Sequence, residues 1–385
     1  MHILKLIFKN AFRHKLRTFL TVLGVTIAIL AFGLLRTLIS AWYSGVEASS
    51  AARLVTRNAI SLVFPLPISY ENKIRQIEGV KTVSYGSWFG GIYIDEKHFF
   101  ANYAVAPETY LRMYPEIVLT PDEKAAVYRD RRSAVAGRKL AERYGWKIGD
   151  IITLKGTIFP GNWDFVLRGI YKGRDKNVDE TAFFFHWSYL NETLKKTAPS
   201  RADQVGWFMV EVTKPNLAAE VSEKIDQTFK NSLAETLTET EKAFNLSFLS
   251  MADAIIIAIQ LVSIVIIIII MTVVANTMAM TARERIGEYA VFKTLGFGGL
   301  HISGLIFGES LLITLIGSSL AVALTFPVAK LFHEELSTYF PIFFVEKKTI
   351  YLEIAASILV GLIAAIFPAW RAINIRIADA LRRIG

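Results

Sequence analysis

The sequence predicts an α+β multi-pass membrane protein: four transmembrane helices, with a large mixed α+β extracytoplasmic domain between the first and the second. Three observations carry this expectation. Four apolar runs, near residues 18–38, 254–280, 300–331 and 350–370, are each long enough to cross a hydrocarbon core of about 30 Å. The segment between the first two runs has ordinary globular composition and is long enough to bury a core of its own. The 385-residue chain is 53% hydrophobic yet 20% charged, so its apolar residues must be segregated from its charges.

Charge placement sets the orientation. Lys5, Lys9, Arg13, Lys15 and Arg17 precede the first run, Arg283, Arg285 and Lys293 follow the second, and Arg371, Arg376, Arg382 and Arg383 follow the fourth. The loop after the third run mixes Glu334, Glu335 and Glu346 with Lys347 and Lys348. The positive-inside rule therefore puts both termini and the 281–299 loop in the cytoplasm, with the large domain outside. The expected location is a bacterial inner (cell) membrane. The net charge of +9 is then topological, and no nucleic-acid partner is expected. The chain has no cysteine, which excludes disulfides and thiolate metal sites within it.

Residues 1–17 place Ile3, Leu4, Ile7, Phe8, Ala11 and Phe12 on one helical face with basic residues elsewhere, the pattern of an interfacial amphipathic helix. The first span, 18–40, exceeds the h-region of a cleaved leader and is read as a membrane helix. Arg36 near its outer end can snorkel to the interface.

The outer domain, 41–252, is expected as two α+β modules plus a helical stalk. Its first module begins with a helix prolonged to Arg53 and an extended segment at 60–64 ended by Pro65 and Pro67. Ser69 is a candidate cap for a helix closed by Gly79, with strands near 80–85, 88–94 and 98–105 and a helix from Pro107. A second module starts at Ala134 as strand, short helix, Gly149-Asp150 turn and strand. Strands near 166–171, 182–185 and 205–213 and helices near 187–196 and 216–229 continue it. Residues 236–251 run without Pro or Gly into the second span, and read as a helix continuous with it.

The second span, 253–280, holds Gln260 and Asn276 as its strongly polar residues after Asp253. It passes into a charged loop, 281–299, where Arg283, Glu284, Arg285, Glu288 and Lys293 interleave with Ile286, Tyr289, Val291, Phe292 and Leu295. That pattern reads as a short amphipathic helix starting where the membrane helix stops, punctuated by Gly296, Gly298 and Gly299. In the third span, 300–331, Gly304 and Gly308 have the spacing that allows close helix contact, and Glu309 is a buried-acid candidate. A short outer loop, 332–349, leads to the fourth span, 350–370, which is expected to end at Pro368, and a cytoplasmic tail, 371–385.

These residues resemble the MacB-type permease family, the group that also holds LolC, LolE and FtsX. Thr281, Arg283, Glu284, Arg285, Ile286, Gly287, Lys293, Leu295 and Gly296 match its coupling region, although Ile286 and Gly287 precede Glu288 here. Val135, Gly137, Leu140, Ala141, Gly149 and Asp150 match its outer domain, and Pro368-Ala369 through Asp379-Ala380-Leu381-Arg382 match its tail. The resemblance implies the permease subunit of a type VII ABC transporter, a dimer of this chain or with a paralogous permease, working with a cytoplasmic ATPase. A periplasmic adaptor and outer-membrane duct are further partners it suggests. Its coupling residues would be Arg283, Glu284, Arg285, Gly287, Glu288, Tyr289, Phe292 and Lys293, the charges meeting the ATPase and Tyr289 and Phe292 filling its groove. The job is open between export, lipoprotein release and a relay that activates an envelope enzyme.

The chain offers no chemistry of its own. It contains no Gly-x-x-x-x-Gly-Lys-Ser/Thr cradle, no zincin pattern and no Gly-x-Ser-x-Gly elbow. No cofactor is expected on it, with ATP bound by the partner. The outer aromatics Trp88, Phe89, Phe99, Phe100, Phe183, Phe184, Phe185 and Trp207 fit either a core or a binding surface.

Overall fold

The computed structural model describes residues 2–47, 49–250, 252–336, 340 and 342–374. In chain order the elements are α1 (His2–Ala11), α2 (Lys15–Glu47), β1 (Arg53–Asn58), β2 (Leu66–Pro67), α3 (Tyr70–Arg75), β3 (Val80–Trp88), β4 (Gly91–Ile92), β5 (Asn102–Val105) and α4 (Pro107–Met113). There follow β6 (Ile117–Val118), α5 (Pro121–Arg129), β7 (Ser133–Gly137), α6 (Arg138–Tyr144), β8 (Ile151–Gly156), β9 (Gly161–Gly173), β10 (Phe183–His186) and α7 (Trp187–Thr197). Then come β11 (Gln204–Val205), β12 (Trp207–Val212), α8 (Ala218–Thr228), β13 (Thr236–Thr240), α9 (Glu241–Ser250), α10 (Asp253–Glu284), α11 (Ile286–Thr294), α12 (Gly299–Leu336) and α13 (Lys347–Ile373). They form two compact units, one of helices (1–41, 252–335, 343–385) and one built on a sheet (42–251 with 336–342).

In the helical unit, α2, α10, α12 and α13 each carry a stretch long and apolar enough to span a bilayer. Their shared core includes Ile29, Val274, Met278, Ile306, Ala321 and Ala365. Close approach comes from glycine, but not as the Gly304/Gly308 spacing suggests. Gly304 faces open space, and a Cβ on Gly308 would meet Ile7 of α1 at 2.6 Å. The tight helix crossings lie at Gly317, where a Cβ would sit 2.7 Å from Val25 of α2, and at Gly361, 2.5 Å from the Thr314 hydroxyl of α12. Ser310 donates to the Gly361 carbonyl (2.7 Å) and Ser357 to the Thr314 carbonyl (2.8 Å), so the α12–α13 seam also satisfies its buried hydroxyls. Pro368 lies inside α13, which runs on to Ile373, and does not end it.

The other unit is organised by an 11-stranded sheet of order β13-β1-β12-β3-β5-β10-β7-β9-β8-β4, with β6 paired to β9. One sheet therefore runs through both expected modules. They join where β5 and β10 pair in parallel, Phe183 opposite Asn102. Strand β12, expected in the second module, pairs with β1 and β3 of the first. Residues 60–64 are turn, and the first strand is instead β1.

Side chains alternate across the sheet, so two cores form. Phe183, Phe185, Leu54, Phe208 and Val210 enter one, packed on Ile74, Leu190, Val221 and Phe229. Phe184, Val105, Val135 and Tyr171 enter the other with Leu111 of α4 and Val127 of α5. Each phenylalanine taken fully out of water contributes about 1.5–3 kcal/mol.

The continuous stalk is also revised. Residues 236–240 are strand β13, α9 ends at Ser250, and α10 begins anew at Asp253 after a non-helical Ala252. Met251 and the tail residues Asp379, Ala380, Leu381 and Arg382 lie outside the described residues.

Candidate coupling site

Helix α10 stops at Glu284 because Arg285 leaves helical geometry (φ −104°, ψ 15°) and α11 starts at the next residue. The Arg285 side chain turns inward. Its Nη1 donates to Glu309 Oε2 of α12 at 3.0 Å and its Nε to Glu288 Oε2 at 2.9 Å, with the guanidinium 5.4 Å from the Tyr289 ring. Arg285 is 5% exposed and Glu309 3%, so this pair is shielded from water. An acid and a base buried together with hydrogen bonds avoid the several-kcal/mol penalty that either carries alone.

A second layer of charge ties α11 to the N-terminus. Glu288 accepts from Arg13 as well as Arg285. Arg17 grips Glu284 with two bonds of 3.0 and 2.8 Å, and the His14 ring lies 3.5 Å from the same carboxylate. Burial pushes the Glu288 carboxyl up, but the hydrogen bonds from Arg13 and Arg285 outweigh it and hold the group below its usual range. Burial pushes the Tyr289 phenol up to about 12. Lys293 donates to the Ile373 carbonyl at the C-terminus of α13, where a cation suits the free carbonyl groups. Gly296, at φ +89°, then supplies the left-handed turn that ends the segment.

The sequence-predicted residues therefore separate into two sets. Tyr289 is 1% exposed and packs in the helical core, so it cannot fill a partner's groove. Arg285 is spent on Glu309 and Glu288, while Glu284 and Glu288 face arginines of their own chain. Gly287 and Phe292 are half-buried, with Phe292 packed against the core. Arg283 is exposed, as are Val291, Leu295, Phe297 and Leu300, which form the apolar outward side of the segment. Gln260 and Asn276 both lie on exposed positions of α10, away from the bundle core.

Sequence reading did not single out Glu353. It is fully buried in α13, accepts from Thr325 Oγ1 at 3.0 Å, and fits only because Gly33 of α2 lacks a Cβ. One charge in an apolar run was the available signal. For Arg13 and Arg17 the sequence signals only topological charge. Among the described residues no group of three His, Asp or Glu side chains converges as a metal site.

Residues 18–228 match the family model described as MacB-like periplasmic core domain, and residues 260–377 the model described as FtsX-like permease C-terminal. The chain is 25% identical to an uncharacterized ABC transporter permease, MJ1507, of Methanocaldococcus jannaschii, across 97% of this chain and 96% of that protein. Among solved structures it is similar to the periplasmic region of MacB from Actinobacillus actinomycetemcomitans (10% identity, 53% of this chain and 95% of that one, TM-score 0.38). It is also similar to the extracellular domain of the noncanonic ABC-type transporter YknZ from Gram-positive bacteria (11% identity, 49% of this chain and 100% of that one, TM-score 0.36).

Proposed function

Since the chain belongs to the MacB/FtsX-like ABC transporter permease family, we propose that it passes the state of a separate cytoplasmic ATPase to its outer domain. That motion would drive export or extraction of a substrate held outside the membrane or in its outer leaflet. In this reading the chain works as a dimer, ATP is bound by the partner, and α11 is the element the ATPase moves.

The observation that carries the reading is how α11 is mounted. It is fixed to α12 through Arg285–Glu309, to the N-terminal segment through Glu288–Arg13, and to α13 through Lys293. A force on α11 therefore reaches three other helical segments at once. The exposed side of the segment, with Arg283, Val291, Leu295 and Phe297, is left for a partner. An apolar strip edged by a cation suits a groove on a neighbouring protein.

Affinity purification of the full-length protein in mild detergent, with identification of the co-purifying chains, tests this. An ATPase is expected with the wild type and is expected to be lost with Leu295→Asp or Arg283→Glu, both exposed positions whose change spares the internal ion pairs. Absence of any ATPase, or its retention in both variants, would overturn the coupling role.

A further inference from the structure

The outer domain holds an open cavity of about 1040 Å³, lined largely from the sheet face that α4 packs on. This is the upper end of the range of about 300–1,000 Å³ usual for small-molecule sites. Its floor is Val55 of β1, Trp207 and Met209 of β12, Tyr103 of β5 and Phe184 of β10. Tyr110 of α4 and Tyr114 just after it form one wall, and Phe244 and Phe248 of α9 another. The aromatic residues thus divide: Phe89, Phe100, Phe183 and Phe185 belong to one core, Phe184 to the other while also lining this space, and Trp88 and Trp207 face it.

The charges around it are unequal. Arg53 lies 4.3 Å from the Tyr114 ring and spends its donors on Glu241 (2.8 Å), Glu116 (2.7 Å) and the Met113 carbonyl (3.1 Å). Arg201 donates to the Ile158 carbonyl at 2.8 Å and sits 4.8 Å over the Phe159 ring. Arg53 is thus shared by two carboxylates, Arg201 has a carbonyl but no carboxylate, and Asp179 accepts from the Thr181 N–H and hydroxyl, both at 2.7 Å. Three carboxylates, Glu116, Asp179 and Glu241, against two arginines leave the lining an excess of one negative charge. Glu241 is itself held by Ser50, Arg53 and Tyr114. Glu116 and Asp179 flank one strand pair: Glu116 precedes β6, whose Ile117 pairs with Gly173, and Asp179 follows in the loop that leaves β9. The hydroxyls of Tyr103 and Tyr110, on the floor and wall beside them, have no hydrogen-bond partner among the described residues.

We propose that this cavity binds an organic cation with an apolar body, an amine or quaternary ammonium. The charge would lie toward Glu116 and Asp179, and the body on Trp207, Tyr103 and Phe184. Aromatic faces attract a cation, and the apolar lining strengthens the field of the one excess negative charge. An occupant also touches Phe244 and Phe248 on α9. Its role as the transported substrate rests on the permease reading; its binding does not.

The test is equilibrium dialysis of the full-length protein in zwitterionic-lipid nanodiscs against labelled tetraphenylphosphonium, with tetraphenylborate as a probe of the same shape and opposite charge. Saturable tetraphenylphosphonium binding beyond that of empty discs is expected. It should weaken about tenfold in Glu116→Gln and Asp179→Asn, both isosteric, and be blocked by Met209→Trp, which fills the floor. Tetraphenylborate should show no saturable site. No saturable cation binding, or binding that survives all three substitutions, would overturn the site. Equal binding of the two probes would overturn the charge assignment in favour of a neutral apolar occupant. Failure of the permease reading appears separately, as intact probe binding without a co-purifying ATPase.

Discussion

Arg285 and Glu309 show what a buried pair demands of its neighbours. Removing one partner strands the other where water cannot reach it, so Arg285→Leu or Glu309→Leu is expected to destabilise the helical unit by about 3–5 kcal/mol. The double variant Arg285→Met with Glu309→Leu should recover much of that loss, and thermal unfolding in detergent reads both. Glu288 gives a pH prediction. Its folded value lies below the ordinary carboxylate value of about 4.3, so its ion pairs contribute fully above that value and are lost as pH falls through the depressed one. Hydrogen exchange of α1 and α11 should therefore be flat from neutral pH down to about 5 and, after correction for intrinsic rates, rise below about 4. The same amides are expected to exchange faster at neutral pH in Glu288→Gln. Glu309 was legible in the sequence because a lone carboxylate in an apolar run stands out, but its partner was not. Nothing in residue spacing says that Arg285, among several nearby cations, is the one that turns inward.

At the scale of elements, long apolar helices and well-punctuated turns were legible. The strand–helix–turn–strand at Ser133–Gly156 follows its Gly and apolar pattern closely. Strands β1 and β13 were missed for a physical reason. Arg53-Leu-Val-Thr-Arg-Asn and Thr-Leu-Thr-Glu-Thr240 carry few apolar residues, and their charges are neutralised only by contacts distant in sequence, such as Arg57–Glu239 and Arg53–Glu241. Pairing with each other and with β12 makes them strands, which local propensity does not encode. Helix packing makes its own prediction. A methyl at Gly361 would sit 2.5 Å from the Thr314 hydroxyl, so Gly361→Ala should separate α12 from α13 and cost about 1–3 kcal/mol in unfolding measurements. Gly304→Ala, where nothing lies within 4 Å, should be close to neutral.

For the whole molecule, the plan of four apolar helices with an α+β domain after the first was readable from composition alone, because bilayer thickness and charge asymmetry constrain it directly. The single sheet through both halves of the outer domain, and the cavity on one of its faces, were not readable, since both depend on which distant strands pair. Together these features place a mounted helix, α11, in one unit and a hollow binding face in the other. In the proposed function the ATPase state reaches the outer domain. Hydrogen exchange of the complex with its ATPase, compared between the nucleotide-free state and a non-hydrolysable ATP analogue, tests it most directly. Changed protection in both α11 and α9 is the result expected; a change confined to α11 and its ion-pair partners, with α9 and the cavity strands unaltered, would contradict the account.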